Sequence, residues 1–315
     1  MIKKKIKIVD VGSDRNFIKT ILQNCKNSLI NYTVIDPLPI FLEKFKEENR
    51  NIKKLRLNVL KYCVAKNNSK KTFFINSDST TSSYFKSNHK ILDLIRDDKK
   101  FDEQKKINLK TFSLNKIFKK HKINKIDLLT LCTQGSELDI IKGTQKYLKN
   151  ISLIRVHGDW VFKYLNEPLI GETIGHLDRK GFSLLNISPA VMWFDKCITS
   201  DIFFINKRII QPKTTIEKKI FENTIQILLA FGKITDVLIL LKINNFSLDF
   251  VKKQFANSNI FYKILIDYYP YTKVIAIGSN LIIRFLKLLR LSFWRPNFLP
   301  LFKFLKLYYS NDSRS

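Results

Sequence analysis

The stretch LLTLCTQGSELDIIKG, Leu128–Gly143, sets the reading of the fold. With the residues before it, Lys125 to Leu131 has the length and apolar content of a buried strand. A polar turn with Gly135 follows, then a helical pattern from Glu137 to Leu148. Thr133 or Ser136 can cap that helix, and Glu137 and Asp139 suit its positive end. At the strand's end, where an α/β enzyme of this shape often places an acid, stands Cys132. The stretch is therefore either the working tip of a site or the remains of one.

The same unit recurs outward from it. Ile6–Gly12 (IKIVDVG) and Tyr32–Pro37 (YTVIDP) read as buried strands, each followed by a helical pattern, Asn16 to Asn24 and Ile40 to Glu48. Asn58–Ala65 and Lys70–Asn76 read as strands around a polar turn, and Ser79–Lys90 has loop composition. Asn108–Ser113 is a strand before a helix at Leu114–His121. Ser152–Val156, Phe182–Ile187 and Ile202–Asn206 are further strands, with a helix at Glu167–Lys180. Strands alternating with helices predict an α/β fold, a mostly parallel sheet covered on both faces. In such a sheet, ligands sit beyond the carboxyl ends of the strands, where the strand order reverses. From about Gln211 the pattern turns helical, so the expected organisation is a domain at 1–209 and a basic, apolar helical extension at 210–315.

The chain has 315 residues, 45% of them hydrophobic, which is enough for a substantial core and argues against disorder. Cys25, Cys63, Cys132 and Cys197 have no paired spacing, which fits a reducing compartment and predicts neither a disulfide framework nor a metal site. The N-terminus, MIKKKIKIVDVG, lacks an apolar signal core, and no transmembrane run occurs, so a cytoplasmic protein is expected. A net charge of +29 suggests either a polyanionic partner or a lysine-rich habit spread along the chain. The lysines are scattered among Asn and Ser without an Arg–aromatic stripe, so the second reading is preferred and nucleic acid is not an expected partner. Asn280–Tyr309 differs: it mixes Arg284, Lys287, Arg290 and further cations with Leu, Ile and Phe, and contains no acid. It reads as an interfacial helix making peripheral membrane contact through 280–309, or else as a helix packed on protein.

The strand ends carry the chemistry. After the first strand comes Asp10-Val11-Gly12-Ser13-Asp14-Arg15-Asn16, a turn where glycine lets a ligand approach the backbone. Of the dinucleotide fingerprint only Gly12 is present, which argues against a pyrophosphate. The turn permits S-adenosylmethionine, whose cationic sulfonium and amino group suit Asp10. The second strand ends in Asp36-Pro37, where a carboxylate can accept both hydroxyls of a ribose; Asp-Pro is equally a turn former.

Taken in order, Asp10-Val-Gly-Ser-Asp14, Ile35-Asp-Pro-Leu-Pro39, Val64-Ala-Lys-Asn-Asn-Ser69 and Thr133-Gln-Gly-Ser-Glu-Leu-Asp-Ile-Ile-Lys-Gly143 resemble the FkbM family of S-adenosylmethionine-dependent methyltransferases. Tyr164–Ile174, Lys180–Leu185 and Ser200–Asn206 are similar to that family's C-terminal half. The resemblance spans Ile6 to Asn206. It implies a Rossmann-like seven-stranded methyltransferase sheet, S-adenosyl-L-methionine as cofactor, and O-methylation of a sugar, glycan or related small metabolite. It implies that Asp10 and Gly12 contact the methionine end of the cofactor and Asp36 the ribose, with Ala65 near the adenine. Asp14 and Cys132 complete the expected cofactor-binding set, and the Gln134–Glu137 turn would face the methyl group or the acceptor.

The chain also departs from that family's pattern. Asp14 stands for the usual Asn, Asn16 for a second Gly, Asn115 for an Asp, and Thr130-Leu131-Cys132 for Lys-x-Asp. Val156-His157-Gly158 lies where Glu is common. Methyl transfer to a hydroxyl is an in-line displacement helped by a base. With the usual Asp gone, the candidates are His157 and Asp159, with Gln134 in the turn; the plainer alternatives are a capping His157 and an inert, buried Cys132. The runner-up reading is a non-catalytic binding or scaffold protein of methyltransferase fold, its site degenerate at Cys132. A base-methylating enzyme would carry Asn-Pro-Pro-Tyr or Asp-Pro-Pro-Tyr, and neither occurs.

Overall fold

The computed structural model describes residues 4–12, 15–25, 28–95 and 98–245. β1 (Lys4–Val11) leads into α1 (Arg15–Asn24), and β2 (Ser28–Asp36) into α2 (Pro39–Asn49) and β3 (Leu55–Lys61). An insertion follows: β4 (Cys63–Val64), β5 (Lys70–Asn76), the short α3 (His89–Leu92) and β6 (Glu103–Phe112). The chain then runs through α4 (Leu114–Lys120), β7 (Ile126–Leu131), α5 (Glu137–Lys142), β8 (Ile151–Asp159) and α6 (Ile170–Arg179). β9 (Phe182–Trp193), β10 (Lys196–Asn206), α7 (Lys207–Ile210), α8 (Thr215–Ala230) and α9 (Ile234–Ile243) complete the described part.

Seven strands form one sheet in the order β3-β2-β1-β7-β8-β10-β9. All neighbours are parallel except β10, which is antiparallel to β8 and β9. The order reverses between β1 and β7, so their carboxyl ends flank the switch point. This is the predicted α/β, mostly parallel, seven-stranded sheet. All six residues of β7 are buried, as a central parallel strand requires. Val9, Val11, Leu129, Leu131, Ile154 and Val156 share one face and pack in a single core with Ile117 and Phe118 of α4, Ile140 of α5 and Leu177 of α6.

Three expected boundaries move. Asn58–Ala65 is two strands, because β4 leaves the main sheet to pair with β6 in a three-stranded sheet, β4-β6-β5. The helix after β7 stops at Lys142 rather than Leu148: Gly143 follows, and a Cβ there would lie 2.8 Å from the carbonyl oxygens of Ala65 and Lys66. The next helix starts at Ile170, past Pro168, rather than at Glu167.

By compactness the chain divides into Met1–Ile18 with Ser28–Thr224, and Lys19–Asn27 with the chain from Ile225. Within the second unit, Asn24 Nδ2 donates to the Ala230 carbonyl at 3.0 Å, and α9 buries Val237, Leu238, Leu240 and Leu241. Among the described residues no helix is long and apolar enough to cross a membrane. The basic segment 280–309 lies outside the described residues.

The switch point rests on Gly12. Its φ is +100°, and a Cβ there would lie 1.9 Å from the Cys132 carbonyl oxygen. Gly175, inside α6, would place a Cβ 3.5 Å from Arg179 Nη1, an ordinary contact. Gly12→Ala is expected to cost about 3 kcal/mol or more. Gly175→Ala is expected to be neutral or to stabilise by about 0.5–1 kcal/mol. Urea unfolding of both variants checks this; wild-type stability in Gly12→Ala would contradict it.

Candidate active site

Alternation along a strand sends successive side chains to opposite faces. Opposite the apolar core, the register sets Asp10 beside Thr130, Thr130 beside Arg155, and His157 beside Asp201. The result is a polar row near the carboxyl ends of the strands. Arg155 Nη1 donates to Thr130 Oγ1 at 3.0 Å, and Nη2 donates to Asp201 Oδ1 at 2.8 Å. His157 Nδ1 lies 3.0 Å from the same Asp201 oxygen. The Phe17 ring covers the Arg155 guanidinium, its centroid 5.0 Å away. Burial opposes ionisation of Asp201, but the hydrogen bond from His157 and the Arg155 charge outweigh it and hold the carboxyl at about 2. An ionised carboxylate only accepts, so Nδ1 of His157 carries the hydrogen. That makes Nε2 the basic atom of the neutral ring.

At the switch point Asp10 is fully buried, and Tyr32 Oη donates to its Oδ2 at 2.8 Å. The Gly12 N–H donates to the Ile35 carbonyl and the Cys132 N–H to the Val11 carbonyl, each at 3.0 Å. These bonds bring Asp10, Gly12, Cys132 and the end of β2 together. Asp36 is buried at that end, and its Oδ1 accepts the Leu38 N–H at 2.8 Å, so it serves the turn as well as standing at the rim. Ala65 sits apart, after β4, its N–H bonded to the Phe112 carbonyl at 3.1 Å and its own carbonyl against Gly143. Asp14 lies outside the described residues.

The turn after β7 is built differently from the expected cap. Ser136 occupies the cap position, yet its Oγ donates to the Thr133 carbonyl at 3.0 Å. Glu137 reaches back instead, and its Oε1 accepts from the Thr133 N–H at 2.6 Å and the Thr133 hydroxyl at 3.1 Å. Gln134 and Gly135 both have left-handed backbones, φ 56° and 90°. Gln134 Oε1 accepts from Tyr164 Oη at 3.0 Å, and its carbonyl accepts from Ser83 Oγ at 2.7 Å. Glu167 Oε2 would lie 2.6 Å from a Cβ at Gly135.

Beneath this turn Glu137, Asp159 and Glu167 are all buried, with Lys163 as the nearby cation. Lys163 Nζ pairs with Asp159 Oδ1 at 3.0 Å, and Glu167 Oε1 accepts the Tyr164 N–H at 2.8 Å. Of the three expected catalytic groups, Asp159 is thus engaged by Lys163 and Gln134 by Tyr164, while His157 stands half-buried in the polar row. Among the described residues no His, Cys, Asp and Glu converge as a metal-binding group.

Sequence reasoning missed Arg155, Asp201, Lys163 and Glu167. An arginine inside the strand SLIRVHG was a usable signal, since a buried cation needs a partner. The Asp159–Lys163 spacing of four was another.

Burial raises the Glu167 carboxyl from its ordinary 4.5 to about 9, and the Asp159 charge adds to the rise. The folded chain therefore holds a proton that the unfolded chain has released. The stability this contributes is complete below about 4.5 and is lost as pH rises through about 9. Glu167→Gln is expected to flatten this loss. Urea midpoints at pH 6 and pH 9 should fall less in the variant than in wild type, and equal falls would contradict the assignment.

No curated protein matches the chain significantly. Among solved structures it is similar to the CurJ carbon methyltransferase, at 11% identity and a TM-score of 0.34, covering 65% of this chain and 50% of that one. It is similar to the CMeT domain of the citrinin polyketide synthase, at 9% identity and 0.35, covering 65% and 47%. The chain thus spans about half the length of these two. It is also similar to TrmK of M. capricolum, solved with S-adenosylhomocysteine, at 13% identity and 0.34, covering 85% and 93%. These likenesses are distant, and the chain's own seven-stranded sheet defines the fold. The methyltransferase FkbM domain matches residues 10–184, more than half of the chain, so the chain belongs to the FkbM methyltransferase family.

Proposed function

We propose that the chain is an S-adenosylmethionine-dependent O-methyltransferase acting on a hydroxyl of a sugar, glycan or related small metabolite, with His157 as general base. The observation that carries the base is the run Thr130–Arg155–Asp201–His157, which fixes the ring with Nε2 as its proton acceptor. The residues present fit the cofactor: Gly12 forms a turn with no space for a Cβ, Asp10 is buried at the switch point, and Asp36 ends β2. Asp10 and Gly12 would hold the methionine end and Asp36 the ribose; Cys132 would border the same cleft, and Ala65 the adenine. S-adenosylmethionine, when bound, supplies a methyl group on a positively charged sulfur.

The chain's own residues orient the acceptor and take its proton. His157 Nε2 would take the hydroxyl proton as the methyl's bond to sulfur gives way to one with the acceptor oxygen, the bonding pair staying on sulfur and S-adenosylhomocysteine leaving. Asp201, already ionised, stabilises the imidazolium that forms. Arg155 keeps Asp201 in place from its other side. The proposed setting is cytoplasmic, with segment 280–309 resting on a membrane surface and no need for nucleic acid.

A second reading is favoured by Cys132 in place of the family's acid, and by the ties of Asp159 to Lys163 and of Gln134 to Tyr164. It is a binding protein that keeps the fold without turnover.

Calorimetry and turnover separate the two. Wild type is expected to bind S-adenosylmethionine at one site, and Asp36→Ala to bind at least tenfold more weakly, about 1.4 kcal/mol. His157→Gln should leave that affinity unchanged and lower kcat on a hydroxyl acceptor by about 10²–10⁴-fold. No binding by folded wild type would overturn the cofactor assignment. Binding without turnover across a panel of sugars and glycans would favour the second reading.

A further inference from the structure

At the opposite, amino-terminal edge of the main sheet lies a recess of about 480 Å³. Counting along β7, it lies about 16 Å from the switch point, at 3.3 Å per residue. Lys5 and Lys7 of β1, Lys125 before β7, Arg208 of α7 and Lys219 of α8 line it. Two acids also line it, and both are committed within the fold. Asp127 accepts the Lys7 N–H at 2.7 Å and Asn223 Nδ2 at 3.2 Å, and burial raises its pKa. Glu217 Oε2 accepts the N–H groups of Lys213 and Thr214 at 2.9 and 3.1 Å, while Oε1 lies 3.9 Å from Arg208 Nε. None of the four lysines reaches an acid at ion-pair distance among the described residues.

Five cations face two carboxylates here, Asp127 within electrostatic range of Lys7 and Lys125 and Glu217 beside Arg208, so the recess keeps a surplus of positive charge that a multiply charged anion relieves. Lysine meets phosphate as a point charge, with no fixed geometry required. The volume falls within the roughly 300–1,000 Å³ of small-molecule sites. Ile126, Ile216 and Ile220 give the recess apolar wall beside its charge. Single-stranded nucleic acid is a poorer fit, because among the described residues no aromatic side chain lines the recess to stack a base.

We propose that this recess, gathering Lys5, Lys7, Lys125, Arg208 and Lys219 at the amino-terminal edge of the sheet, binds a small phosphorylated metabolite, its phosphate among the lysines and its body against Ile216 and Ile220. The site is separate from the methyl-transfer cleft and does not depend on that reading.

Titration calorimetry of the full chain with inorganic pyrophosphate, at near-physiological salt, tests this. Wild type is expected to bind at one site. Lys125→Glu/Lys219→Glu should weaken binding at least tenfold, whereas the charge-matched control Lys44→Glu/Lys46→Glu, on α2, should match wild type. Should the double reversal not fold, Lys125→Ala/Lys219→Ala is expected to weaken binding at least threefold. Equal losses in the test and control variants would overturn the proposal, as would no saturable binding. Wild type that binds only single-stranded RNA or anionic phospholipid vesicles, and not pyrophosphate, would overturn it too.

Discussion

Two strand ends meet at Gly12 and Cys132 with no space for a side chain between them. β1 and β7 stay paired to their last residues because Gly12 turns away in a left-handed conformation just as the Cys132 carbonyl arrives. That closeness sets Asp10 beside Thr130, and through β8 it sets Thr130 beside Arg155. The rim of the cleft is thus fixed by backbone geometry before any side chain acts. It is the Cys132 carbonyl, rather than its sulfur, that the neighbouring turn must accommodate.

The charges gathered at this rim are costly for the fold. Placing a buried guanidinium beside a half-buried carboxylate sacrifices hydration that their attraction only partly restores, so the Arg155–Asp201 pair adds little net stability. The same holds for Glu137, Asp159 and Glu167, buried around Lys163 beneath the Gln134–Gly135 turn. The two sets of charges beside the switch point have different structural duties. The first orients His157. The second holds the turn rigid: Glu137 caps it, Glu167 packs against Gly135, and Tyr164 anchors Gln134.

Much of this was legible in the sequence because it depends on periodicity and on where strands stop. Asp10, Gly12 and Asp36 end strands, so the alternation of elements placed them at one rim. The His157–Asp201 pair was not legible. It exists only through the antiparallel register of β10 against β8, joining residues 44 apart in the chain. The break between β3 and β4 was hidden because Asn58–Ala65 has strand composition throughout, and only pairing with β6 divides it. The basic recess was hidden for a similar reason: Lys5, Lys125 and Lys219 are unremarkable in a lysine-rich chain until β1, β7 and α8 bring them together.

A crystal structure of the chain with S-adenosylhomocysteine would show whether the β1–β7 switch point is a cofactor cleft that His157 faces. The expected result is the ribose hydroxyls on the Asp36 carboxylate, the amino-acid end beside Asp10 and Gly12, and the sulfur opening toward His157 Nε2. A product bound elsewhere, or bound there with its sulfur turned away from His157, would contradict it.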